Sequence, residues 1–372
     1  HSTADVLVNA LNTATLTADL STAASAAGGS QFGGGTVIAS AALVATNLVQ
    51  GSTPASITNS AVGDDTTAVC GTVTVSASNT ASLTANLVSE VTSGDTAVGI
   101  VLAFNSIGFE SQNLLFNVVD TLVGSSELGD TSDADTRAFI DKSTVTATGA
   151  LTVTAVAAAT LSTTLSNGVG SDAGALTGAT GGAGGVVISS NLVNSAARAS
   201  IDADASNPDT ATNLAVSAGS VTVNASNGGS INAVIDLDVE SETANTNPFS
   251  NSDSIGVSLA FALNDVRSGA TAHIDHIDVH STADVLVNAL NTATLTADLS
   301  TAASAAGGSQ FGGGTVIAAG GLVATNLVQG STQASITNSA VGDDTTAVGG
   351  NVTVIASNTA SLTANLVSEV TS

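Results

Sequence analysis

Apolar and polar residues alternate one for one along this chain, in short runs separated by Gly- or Asn-containing breaks. Val73, Val75 and Ala77, then Ala81, Leu83 and Ala85, are spaced by Thr, Ser and Asn. A period of two puts every second side chain on one face of an extended strand, so these runs predict strands with one buried face. Stripes of helical period are scarce, and Gly-rich breaks such as Gly33–Gly35 and Gly181–Gly185 punctuate the pattern.

The pattern recurs at two levels. Residues 1–93 return as residues 280–372, an offset of 279, with seven differences: Ser40/Ala319, Ala41/Gly320, Ala42/Gly321, Pro54/Gln333, Cys70/Gly349, Thr72/Asn351 and Ser76/Ile355. Near-identity over that length points to tandem duplication of a 279-residue block. Within the block, VLVNALNTATLTADL (Val6–Leu20) matches VTVSASNTASLTANL (Val73–Leu87) and, more loosely, Leu151–Leu165 and Val221–Ile235. The equivalent residues Ala10, Ala77, Ala155, Ala225 and Ala289 stand 67, 78, 70 and 64 apart. Residues 1–279 thus form one block with sub-repeats of about 4–71, 72–149, 150–219 and 220–283, and 280–372 open the next.

Each sub-repeat carries a second landmark, an apolar stretch ending in Asn and followed by Ala-x-Ile. The instances are Asn47 with Ala55 and Ile57, Asn191 with Ala199 and Ile201, Asn264 with Ala272 and Ile274, and Asn326 with Ala334 and Ile336. Asn105 reaches Ala138 and Ile140 only across an insertion, residues 108–136.

Small, interchangeable core residues in a repeating strand pattern favour a parallel β-solenoid, in which each coil stacks on an equivalent coil. Independent sandwich domains would bury larger aromatic anchors. About three coils of roughly 20–25 residues are expected per sub-repeat, stacked at ~4.8 Å, so that a block advances on the order of 60 Å. In that stack Asn47, Asn105, Asn191, Asn264 and Asn326 would form a side-chain amide ladder, or would each cap a turn.

Charge narrows the function classes. Charged residues are 9% of the chain and aromatics 2%, and the formal net charge is −26 with Arg137, Arg198, Arg267 and Lys142 the only fixed cations. Nucleic-acid binding needs clustered cations and is set aside. An anionic membrane surface would repel the chain. No apolar run approaches the ~20 residues of a spanning helix. Trp and Tyr, which would form the girdles of a membrane barrel, are absent. The lone Cys70 is Gly349 in the later copy, so the fold does not depend on it. The chain opens at His1 with neither Met nor a signal peptide, as expected of a processed protein or a window on a longer one.

Several groups are candidates for chemistry. In AHIDHIDVH (Ala272–His280), a strand would place His276, Asp278 and His280 on one face and His273 and Asp275 on the other. Two or three such ligands could hold zinc, and the alternative is a polar outward strand. Calcium suits the acidic clusters better, above all Glu127, Asp130, Asp133 and Asp135 in the insertion. Asp236, Asp238, Glu240 and Glu242 form another cluster, and Asp64 and Asp65 recur as Asp343 and Asp344. None fits an EF-hand or the glycine-rich nonapeptide, and solvated surface charge is the alternative. No cofactor is required. Thr13, Thr15 and Thr17 could form a row suited to ice, but matched against Ala81, Leu83 and Ala85 the row does not recur. The four scattered cations offer no carboxylate–cation or nucleophile–histidine pairing, so an enzyme is not expected.

The cadence V-T-V-x-A-x-N-T-A-x-L-T-A at Val73–Ala85, with A-x-N-L-V at Ala45–Val49 and A-S-I-x-x-S-x-V at Ala55–Val62, resembles the repeat regions of giant bacterial surface proteins. These are the filamentous-haemagglutinin-like exoproteins and large repeat adhesins. The resemblance implies a right-handed parallel β-helix, secretion to the bacterial cell surface, and a role in attachment or coating. A fibre or stalk is the leading expectation, with an adhesin that binds a partner or glycan through the insertion as the alternative. The expected partner is the chain itself, through covalent continuation, end-to-end stacking or lateral packing.

Overall fold

The computed structural model describes residues 4–28, 36–63, 68–69, 71–108, 134–176, 178–203, 214–308, 311–342 and 347–372. Among them every regular element is a strand, and every pairing between strands is parallel. Four sheets result. The first stacks Val6–Asn12, Val73–Asn79, Ala150–Ala157, Ser220–Asn227, Val285–Asn291 and Val352–Asn358 in that order. The second stacks Thr15–Ala26, Ser82–Ser93, Thr160–Ala175, Ser230–Asn245, Thr294–Ala306 and Ser361–Thr371. The third is built on Ile38–Val49, Thr96–Ile107, Ala179–Asp202, Ser252–Asp275 and Val316–Thr337, with Thr53–Thr58 and Ala134–Asp141 completing the shorter rows. A fourth, narrow sheet joins Ala61–Val62, Thr144–Thr146, Ala215–Ala218 and Asp278–Ser281.

Each sub-repeat contributes one layer to every sheet, because equivalent residues hydrogen-bond in register. Val6 lies beside Val73, Val73 beside Leu151, Leu151 beside Val221 and Val221 beside Val285. The expectation of three coils per sub-repeat is therefore corrected to one. Its cause is strand length. Strands of up to 24 residues occupy the second and third sheets, so the chain needs a whole sub-repeat before it returns above its own start. Strands within one sub-repeat face one another across the core, where they pack and do not stack.

Two buried clusters fill the interior. One lies between the second sheet and the first half of the third, with Leu83, Leu165, Leu237 and Leu299 against Val101, Val187 and Val266. The other lies among the first sheet, the fourth sheet and the second half of the third, with Val73, Leu151 and Val221 against Ile140, Ile201 and Ile274. Burying each such Leu or Ile contributes about 1.5–3 kcal/mol. The first cluster closes tightly because one inward column of the third sheet, Ala41, Gly99, Gly185, Ser258 and Gly320, consists only of small residues.

The register makes two further corrections. Thr15 lies beside Ser82 and Thr17 beside Thr84, so the counterparts are not Leu83 and Ala85, which point inward. Hydroxyl residues recur through all six strands in the first of these columns, but Thr alternates there with Ser, so the surface is not a uniform Thr array. The insertion, expected at 108–136, gives way to strand at Ala134, and Asp135 and Thr136 belong to the sheet. Ile107 pairs with Val193 and Ala134 with Ser195, so the neighbouring strand runs straight past the point where residues 109–133 are inserted.

Candidate functional site: an asparagine ladder and an acidic corner

The third sheet turns a corner at the recurring asparagines. Before it, strands pack on the second sheet; after it, they pack on the first. Asn47, Asn105, Asn191, Asn264 and Asn326 are register partners and form one chain of amide hydrogen bonds along the stack. The Nδ2 of Asn47 donates to Oδ1 of Asn105 (2.8 Å), Asn105 to Asn191 (3.0 Å), Asn191 to Asn264 (2.8 Å) and Asn264 to Asn326 (2.8 Å). Strand spacing of ~4.8 Å matches one amide per rung. Two hydroxyls complete the centre: Thr163 Oγ1 donates to Asn191 Oδ1 at 2.6 Å, and Asn191 Nδ2 also donates to Ser189 Oγ at 2.9 Å. Asn105, Asn191 and Asn264 are fully enclosed. The ladder has no titratable group. Its chemistry is to hold register, because a one-residue slip would send the asparagines outward and leave buried partners unpaired.

A second asparagine column lies at the corner between the first and second sheets. It holds Asn12, Asn79, Asn227, Asn291 and Asn358, with Ala157 in the third layer. The Oδ1 of Asn79 accepts from the N–H of Ala81 (3.1 Å), and that of Asn227 from Gly229 (2.9 Å), closing the turn locally. Asn227 Nδ2 also reaches across the interior to the carbonyls of Ser195 (2.6 Å) and Gly269 (3.1 Å). Its signal was the Asn of the recurring N-T-A, which periodicity alone presents as a break between two strands.

Aspartates join one layer to the next. Oδ1 of Asp5 accepts from the N–H of Thr72 at 2.7 Å, and its copy Asp284 does the same with Asn351 at 2.7 Å. Asp253 takes the N–H of Thr315 (2.7 Å) and Asp278 that of Ala340 (3.1 Å). The backbone N–H and hydroxyl of Thr72 hold the Asp5 carboxyl below its usual range.

Among the described residues the acidic and histidine candidates do not converge into a metal site. Glu127, Asp130, Asp133, Asp64, Asp65, Asp343 and Asp344 lie outside the described residues. The Asp135 carboxylate faces two guanidinium groups, Arg137 Nε at 2.7 Å and Arg198 Nε at 3.2 Å. Asp236, Asp238, Glu240 and Glu242 line the exposed side of Ser230–Asn245. His276 does not lie on a strand with Asp278 and His280, which corrects the expectation of one continuous strand, although Asp278 and His280 share the outward face of Asp278–Ser281. His276 takes a left-handed conformation (φ 55) at the end of Ser252–Asp275, and a new strand begins at Asp278, so the alternation is broken there. No group of three or more His, Cys, Asp or Glu side chains among the described residues could hold a metal ion.

The histidines serve the corner instead. Asp141, Asp202 and Asp275 stack as register partners between Thr58 and Thr337. His273 Nε2 lies 2.9 Å from Asp202 Oδ1, and His276 Nδ1 lies 2.9 Å from Asp275 Oδ2. The hydrogen bond to Asp202 raises the His273 pKa above its ordinary 6.5, against partial burial and with help from the charges of Asp202 and Asp275. Burial pushes Asp275 up, but hydrogen bonds from Thr337, Asn338 and His276 outweigh it and lower the carboxyl below 3.8. His273 therefore contributes stability that is fully present below pH 6.5 and is lost as pH rises through its higher folded value. Asp275 contributes stability above pH 3.8 that is lost as pH falls through its lower folded value. In urea titrations on the alkaline side of pH 6.5, the wild type should lose its advantage over His273→Gln as pH rises. A pH-independent difference between the two would show that the pair is not ionic.

Comparison with known proteins finds no matching family model, no similar curated protein and no similar solved structure.

Proposed function

We propose that this chain is a segment of an extracellular structural rod, a right-handed parallel β-solenoid serving as a bacterial surface fibre or adhesin stalk. One observation carries the reading. Every sheet grows by one strand per sub-repeat, and the copied strand Val285–Asn291 enters the first sheet in the register of Val6–Asn12, four layers further on. An architecture in which a duplicated block adds equivalent layers suits length and stiffness. The right hand follows from the strong preference of parallel crossover connections. An enzyme is disfavoured because the buried asparagines form ladders and turn closures, and the cleft lined by Asp172, Glu240 and Glu242 holds no histidine, lysine or arginine beside its carboxylates.

Four layers per block at ~4.8 Å give an advance of about 19 Å. Arrays of increasing block number, imaged by electron microscopy, should lengthen by that amount per added block. An increment near 60 Å, or no change in length, would sink the one-layer-per-sub-repeat rod.

The alternative adhesive reading rests on residues 109–133. Gly108 N–H still bonds Val49 O at 3.0 Å and the sheet resumes in register at Ala134, so the stack is kept on either side of this stretch, which lies outside the described residues. A rod whose repeat is interrupted by 25 residues fits a stalk with a binding element.

A further inference from the structure

We infer that the outward face of the first half of the third sheet is a self-association surface, by which two copies of this chain pack side by side. The inference deepens the rod reading and rests on it. The face centres on the column Val44, Leu102, Ile188, Phe261 and Val323, which point away from the core on five successive strands. Val44, Phe261 and Val323 are 50%, 41% and 55% exposed. The column on one side includes Leu259, that on the other Leu263, and both are exposed. Across the five columns from the one headed by Ile38 to the one headed by Thr46, none of the paired positions is charged.

That is unusual in a chain whose formal net charge is −26. The acidic residues stand elsewhere. The outward side of the second sheet carries Asp172, Asp236, Asp238, Glu240, Glu242 and Asp298. The outward side of the first sheet is also uncharged but is lined mainly by Thr, Ser and Asn, whereas a large uncharged face centred on Val, Leu, Ile and Phe marks an interaction site. Its occupant must be apolar and flat, and must tolerate strongly acidic surroundings. A second copy of the same face meets all three conditions, since the two acidic sides then point away from each other. Ridges of equal pitch face each other, at the ~10 Å spacing of packed sheets.

The size is also right. Leaving out the Thr46 column, where Phe104 and Ser190 are buried, four columns about 6.8 Å apart on five strands about 4.8 Å apart cover on the order of 650 Å². Two such faces bury about 1,300 Å², within the range of a stable two-fold interface. Lateral repulsion between the acidic sides opposes the contact, so salt should strengthen it.

The test uses the full 372-residue chain, by sedimentation and small-angle scattering across protein and salt concentration. Wild type should associate with concentration and salt, with doubled mass per length. Leu259→Asp with Phe261→Asp, both on exposed positions, should weaken association by about 30-fold or more. Thr164→Asp with Thr296→Asp adds the same charge to the exposed side of the second sheet and should leave association within a few-fold of wild type, with circular dichroism confirming that all variants fold. A wild-type chain that stays monomeric at every salt concentration overturns the inference, whether the face then binds apolar vesicles or is covered by another part of the chain. Association equal in the Leu259/Phe261 variant and wild type, or growth in length at constant mass per length, also overturns it while leaving the rod standing. Arrays that fail to lengthen by block would overturn the rod itself.

Discussion

Asn191→Leu should be among the most damaging single substitutions in the chain, destabilising it by about 3 kcal/mol or more. The shape is nearly conserved, so the loss is one of hydrogen bonding. Asn191 accepts from Asn105 and Thr163 and donates to Asn264 and Ser189. Leu leaves the acceptors of Asn264 and Ser189 and the donor of Thr163 without this partner, inside a site closed to water. Each buried group left unpaired costs about 1–3 kcal/mol. Asn326→Leu, at the last rung and only half-buried, removes one acceptor, that of the enclosed Asn264 Nδ2, and should cost about 1 kcal/mol, clearly less than Asn191→Leu. Urea midpoints and amide exchange across Ala179–Asp202 measure the difference. Equal losses at the two positions would mean that the amides act as separate caps and that the ladder has no special centre.

Two neighbouring glycines should respond to substitution with opposite sign. A Cβ at Gly185 would stand 2.6 Å from Leu237 Cδ1 and 2.7 Å from Val239 Cγ2, both on the facing second sheet. Gly185→Val therefore forces two close-packed sheets apart and should cost about 3 kcal/mol, the upper end for overpacking. Gly184 points outward, and a Cβ there meets nothing within 4 Å. Gly184→Ala should stabilise the chain by about 0.5 kcal/mol, because Ala has less freedom to lose on folding. Thermal or urea unfolding of the two variants tests the pair. A shift of the same sign and size in both would show that the sheets do not approach as closely as this column implies.

The alternation of Val73, Val75 and Ala77 with Thr74 and Ser76 marks both the strand and its buried side, and both appear in the fold. Recurrence of the Asn and Ala-x-Ile landmarks placed Asn47 to Asn326 in one column, because parallel stacking of equivalent units puts like on like. Side chains that act between unlike positions were not legible in this way. The pairing of His273 with Asp202 joins adjacent layers in a diagonal, and Asp135 meets arginines from two strands. The number of layers was missed for a related reason. Periodicity of two runs along a strand and carries no information about how far the chain travels before it lies over itself.

The two copies of the repeated block separate these contributions. Leu83 and Leu362 occupy equivalent positions in identical local sequence, ASLTANL. Both strands keep the same alternation, which the sequence by itself determines, since parity along an extended backbone is a property of the chain alone. Leu83 is 1% exposed because it lies between the paired strands Thr15–Ala26 and Thr160–Ala175 with the third sheet behind it. Burial depends on neighbours supplied from about a sub-repeat away, and only the tertiary stack decides whether they are there.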